Sequence, residues 1–79
     1  MRILFFAQLE EVTGCREIEW PMTESLDSDA LWERLIREFP GLAPHRPFTR
    51  LARNMEFAPA GTRFMPGDEV ALIPPVSGG

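Results

Sequence analysis

The residues best able to do chemistry in this 79-residue chain stand at its end: Pro74, Pro75, Val76, Ser77, Gly78 and Gly79. Glu69 is the last charged side chain, so an uncharged run leads to an α-carboxylate, a group with a pKa of about 3.5 that is ionised at neutral pH. Two prolines fix φ and project the chain in an extended form, and two glycines carry no side chain to obstruct a narrow channel. Fully extended, residues 74–79 span at most ~20 Å at ~3.3 Å per residue, enough to enter the active site of another protein. A carboxylate is a poor acyl donor because its oxygen is a poor leaving group. Attack of that oxygen on the α-phosphate of ATP would give an acyl-adenylate, from which a sulfide equivalent could displace AMP. The product is a C-terminal thiocarboxylate, a soft nucleophile able to hand its sulfur to a second enzyme. Gly79 leaves the carbonyl carbon open to attack, and the chain itself needs no base, metal or nucleophilic side chain.

Other reactive residues have weaker claims. Cys15 is the single cysteine and has no internal disulfide partner, and no basic cluster near it in sequence would lower its pKa. His45 stands between Pro44 and Arg46 in a proline-rich stretch and reads as a solvated loop residue. A metal site built from Cys15 and His45 would need carboxylates to complete it, and no metal is expected. Asp68 and Glu69 are adjacent, so on a strand they face opposite ways; after Gly67, Asp68 reads as turn chemistry. All eight basic residues are arginine, so Schiff-base chemistry is ruled out, as are conjugates on a lysine of this chain. The net charge of -4 and pI near 4.8 argue against a nucleic-acid partner. No apolar run has the length of a membrane span and no leader pattern follows Met1, so the expected address is the cytoplasm.

The elements that must present residues 74–79 follow from hydrophobic period. Arg2-Ile3-Leu4-Phe5-Phe6-Ala7-Gln8 reads as a strand with Ile3, Phe5 and Ala7 on one face and Leu4 and Phe6 on the other. A Thr13-Gly14 turn and an alternating strand over residues 16–20 complete an N-terminal hairpin with one wet face. Residues 27–39 change to a helical period, with Leu31, Trp32, Leu35, Ile36 and Phe39 on one stripe. Asp27 is the expected N-cap, Leu26 and Leu31 form a hydrophobic staple, Glu33 and Arg37 pair on the outer face, and Pro40-Gly41 ends the helix. Residues 41–47 read as a loop, 49–54 and 55–58 as short strands, Met65-Pro66-Gly67-Asp68 as a turn, and 69–73 as a last strand. The expected fold is α+β: a β-grasp (ubiquitin-like) domain over residues 1–73, with one main helix packed across a mixed sheet. Residues 74–79 then form a flexible, extended Gly-Gly tail.

In Leu4-Phe5-Phe6-Ala7, the helix around Ala30-Leu31, Asn54, Pro66-Gly67-Asp68-Glu69-Val70-Ala71 and the Pro74-to-Gly79 tail, the chain resembles the MoaD-type sulfur carriers. These are the small subunits of molybdopterin synthase. The resemblance covers essentially the whole chain; the related thiamin-pathway carrier also ends in Gly-Gly but usually lacks the diproline. It implies adenylation of Gly79 by a ubiquitin-activating-like adenylyltransferase with ATP, and conversion to a thiocarboxylate. It further implies entry of the tail into the synthase large subunit, within a heterotetramer, and sulfur donation to cyclic pyranopterin monophosphate. The chain would be a non-catalytic sulfur-donor subunit with no bound cofactor. Phe6 and Ile73 match positions where that family presents apolar side chains to partners. Two positions depart: Glu10 stands where arginine is common, which affects partner contact, and Arg53 precedes the asparagine where an apolar residue is usual, suggesting an edge or solvated strand. Alternatives are a sulfur carrier for tungsten cofactor, thiamin or tRNA thiolation, a protein modifier joining Gly79 to lysines of targets, or a plain binding module.

Overall fold

Alternation along the first strand sets the two faces of the sheet. In β1 (Arg2–Phe5), Ile3 and Phe5 are buried on one side while Arg2 and Leu4 stay partly or fully exposed on the other. The computed structural model describes residues 1–75; Val76, Ser77, Gly78 and Gly79 lie outside the described residues. The chain continues through α1 (Gln8–Thr13), β2 (Glu17–Glu19), β3 (Leu26–Asp27), α2 (Ser28–Glu38) and a 3-10 segment (Pro40–Phe48). It ends in β4 (Arg50–Arg53), β5 (Glu56–Phe57), β6 (Arg63–Phe64) and β7 (Glu69–Ile73). Five strands form a mixed sheet in the order β2-β1-β7-β4-β5, and β3 pairs with β6 as a separate ribbon. Within the sheet β1 and β7 are parallel and the other neighbours antiparallel. Helix α2 lies across the inner face, where Leu31, Trp32 and Leu35 join Ile3, Phe5, Leu51, Val70 and Leu72 in one core. This is the expected α+β, β-grasp arrangement.

The helix α2 starts as its sequence requires. The Asp27 carboxylate accepts the Ala30 N–H at 2.8 Å, satisfying one of the orphan donors of the first turn, and Leu26 packs against the core that holds Leu31. The expected Glu33–Arg37 pair is not among the ion pairs of the described residues. Instead Arg34 lies 4.7 Å from the Trp20 ring centroid and Glu38 accepts the Trp20 indole N–H at 2.7 Å, so these side chains tie the helix to the chain after β2.

Four expectations are corrected. β1 and β2 pair as a hairpin would, but the connection is helix α1, because Leu9 and Val12 share one helical face; Leu9 is fully buried, and Gly14 is the left-handed C-cap rather than a turn residue. The first strand accordingly stops at Phe5, and Ala7 and Gln8 leave it. Residues 40–48 are helical rather than a loop: prolines suit the tight φ of a 3-10 turn, buried Leu42 anchors the segment, and Gly41 approaches α1 so closely that a Cβ there would sit 3.0 Å from Val12 Cγ1. Finally, β4 is not an edge strand, since β7 and β5 flank it; Arg53 is partly solvent-exposed, as expected, and also pairs with Asp68.

Candidate functional site

Strand β7 carries the chain toward residues 74–79, and what surrounds it defines the site. Its outer residues Glu69, Ala71 and Ile73 meet Leu4 and Phe6 from the β1 side, and Ala52, Met55 and Phe57 from the β4–β5 side, in a groove of about 310 Å³. The groove is mostly apolar, and Phe6, Phe57 and Met55 stay 47%, 64% and 91% exposed. An exposed apolar surface of this kind on a small domain is a candidate interaction site. Phe6 and Ile73, singled out from the sequence, are both in its lining; Leu4, Ala52, Met55, Phe57 and Ala71 were not. The alternation within β1 and β7 was the available signal for Leu4 and Ala71. For Met55 and Phe57 none existed before the pairing of β5 with β4 was known.

Where β7 ends, Pro74 is buried and Pro75 exposed, so the first proline is packed into the domain and the second faces solvent. Val76, Ser77, Gly78 and Gly79 lie outside the described residues.

Where β7 begins, a polar network holds its register. Asp68 is 8% exposed and accepts the Met65 N–H at 2.8 Å, the Asn54 amide at 3.0 Å and the Arg53 Nε–H at 2.7 Å. The Asn54 side-chain carbonyl accepts the Glu69 N–H at 2.9 Å, and the Asn54 N–H donates to the Glu69 carbonyl at 2.8 Å. Burial opposes ionisation of Asp68, but the Met65 N–H, the Asn54 amide and the Arg53 guanidinium together outweigh it and hold the carboxyl below its ordinary value. Asp68 is thus turn chemistry, as its sequence context suggests. Asn54 and Met55 take positive φ of 49° and 73°, which turns β4 into β5 and sets Met55 over the groove. At the groove's acidic end Arg2 Nε lies 2.7 Å from Glu17 and its Nη1 3.1 Å from Glu69. The hydrogen bond from Arg2 holds Glu17 below the usual carboxylate range, and the same bond raises Arg2.

Ala7, the residue between Phe6 and α1, adopts φ 52° and ψ -129°, a conformation L side chains rarely take. This bend ends β1 and leaves Phe6 on the groove wall. Glu10 pairs with Arg16 at 3.6 Å across the α1–β2 connection. Cys15 is half-buried, and its backbone and thiol hydrogen-bond around Thr13. The His45 carbonyl accepts the Thr49 hydroxyl at 2.7 Å. Among the described residues no three His, Cys, Asp or Glu side chains gather as a metal site would need, and no helix is long and apolar enough to cross a membrane.

The ThiS family model matches residues 3–79 of the chain. The molybdopterin synthase sulfur carrier subunit of Homo sapiens is 34% identical over 82 residues, covering 100% of this chain and 93% of the human protein. The crystal structure of SAMP1 from Haloferax volcanii superposes with a TM-score of 0.82 at 33% identity, over 100% of this chain and 98% of that one. A second crystal structure, of small archaeal modifier protein 1 from the same organism, gives 0.79 at 28% identity over 96% of this chain and 97% of that one.

Proposed function

Because the chain belongs to the ThiS family, we propose that it is a sulfur carrier of molybdenum-cofactor assembly whose reagent is the Gly79 carboxylate. A ubiquitin-activating-like adenylyltransferase joins that carboxylate to the α-phosphate of ATP, releasing pyrophosphate. A sulfide equivalent then attacks the carbonyl carbon and releases AMP, leaving the thiocarboxylate. Residues 75–79 enter a pocket of the molybdopterin synthase large subunit and deliver sulfur to cyclic pyranopterin monophosphate, with two small subunits at the ends of a large-subunit dimer. Phe6 and Ile73 hold the partner through the groove, Gly78 leaves the approach to the terminal carbonyl unobstructed, and Pro75, Val76 and Ser77 act as spacer. The reaction takes place in the cytoplasm.

The observation that carries this reading is full-length similarity to a named molybdopterin synthase sulfur carrier subunit. The apolar groove beside the strand that leads into residues 74–79 supports it. The test is intact-mass measurement after incubation with the cognate activating enzyme, ATP and a sulfur source. The expected gain is about 16 Da, one oxygen replaced by sulfur in the activated acyl group. An unchanged mass overturns the reading. Adding one residue after Gly79 should abolish both the gain and dithiolene formation with the large subunit and pterin precursor. Thiolation without dithiolene formation would point to thiamin or tRNA-thiolation chemistry.

Likeness to a protein named small archaeal modifier protein 1 favours a second reading, conjugation of Gly79 to lysines of other proteins. ATP-dependent isopeptide conjugates seen by mass spectrometry, without a thiocarboxylate, would select it.

A further inference from the structure

The outer face is electrically polarised along β7. At the end where the strand begins, one guanidinium, Arg2, lies between two carboxylates, Glu17 and Glu69, so that corner carries surplus negative charge. At the end where the strand finishes, Ile73 stands opposite Arg50 in the antiparallel ladder. Arg50 is two residues from Ala52, which lines the groove, so both belong to the outer face. Its guanidinium lies 5.6 Å from the Phe57 ring centroid, and among the described residues no carboxylate pairs with it. Its outer-face neighbours Ile73 and Phe57 are apolar, while on its other side it lines a cleft with Ser28, Thr49 and Pro59.

We propose that Arg50 is the orienting contact of the docking face and takes a carboxylate on the large subunit, beside the place where β7 leads into residues 74–79. The proposal rests on the reading that the groove receives that subunit. Once docking covers Ile73 and Phe57, water leaves the neighbourhood of the guanidinium and its attraction to a carboxylate strengthens. A partner docked the other way round would set its acidic group against Glu17 and Glu69. The polarity therefore selects the one orientation in which the end of β7 faces the partner's pocket, and steers encounter toward it.

The test is association kinetics of the full chain with its cognate large subunit across a range of salt. Arg50→Gln should slow association about tenfold at low salt and flatten the salt dependence, and Arg50→Glu should slow it further. Arg50→Lys should keep the salt dependence, and Glu17→Gln should not slow binding. Unchanged rates and salt dependence in Arg50→Gln and Arg50→Glu overturn the proposal, as does a loss in Arg50→Lys equal to that in Arg50→Gln, which would mean Arg50 serves only to cover Phe57. The wild-type chain separates the two levels: if it is thiolated and binds, the Arg50 variants judge this contact alone; if it does not bind the large subunit, the functional reading falls and the contact with it.

Discussion

Replacing Asp68 by alanine should be among the most damaging polar substitutions in the domain. The side chain is nearly buried and accepts three hydrogen bonds, from Met65 N–H, Asn54 and Arg53. The first two, lost from a half-buried turn, are worth about 1 kcal/mol each. The Arg53 pair contributes up to about 1 kcal/mol, since the arginine is itself partly exposed and screened. A total of about 2–3 kcal/mol lowers Tm by roughly 8–24 °C, at about 4–8 °C per kcal/mol for a domain of this size. Urea unfolding of Asp68→Ala and Asp68→Asn, followed by Trp20 and Trp32 fluorescence, measures it. The pH dependence adds a second check. Because the folded-state pKa of Asp68 is depressed below its ordinary value of 3.8, the stability it contributes is present above about pH 4 and is lost as pH falls through the lower folded value. Asp68→Asn should lack that part of the acid loss. A destabilisation under about 0.5 kcal/mol, the range of ordinary surface changes, or an unaltered acid limb would refute the reasoning.

Two further substitutions probe the frame. Asp27→Ala removes the α2 cap and should cost about 1 kcal/mol in urea unfolding, with Asp27→Asn retaining most of it. Ala7→Gly relieves a strained backbone at an exposed position, offset in part by the greater freedom of glycine when unfolded; the expected net is a gain of up to about 1 kcal/mol, and a loss would show that the bend is not strained.

Much of this protein can be read in its residues one segment at a time. The α2 stripe, its Asp27 cap, the final strand and the Met65-to-Asp68 turn depend on period and turn chemistry, which are local, and each is present in the structure. The α+β, β-grasp architecture and the family follow from the same order of elements together with the tail motif. Helix α1 escaped because it has six residues and two inward positions, too few for a period to stand out against the strand pattern before it. The β3–β6 ribbon escaped because strands of two residues carry no alternation.

The rest was decided by tertiary contact. Arg53 stands where the resembled family has an apolar residue and so suggested an edge or solvated strand; a sequence shows no partner fifteen positions away. In the fold Asp68 lies 2.7 Å from it and makes a charged residue fit beside the core. The groove likewise exists only because a parallel β1–β7 pair and an antiparallel β4–β7 pair bring residues 4, 6, 52, 57 and 73 to one face. Chemistry can be assigned to a residue by type alone, but a surface belongs to strand order. Strand order follows from which apolar faces find cover together, and no single stretch of the chain contains that information.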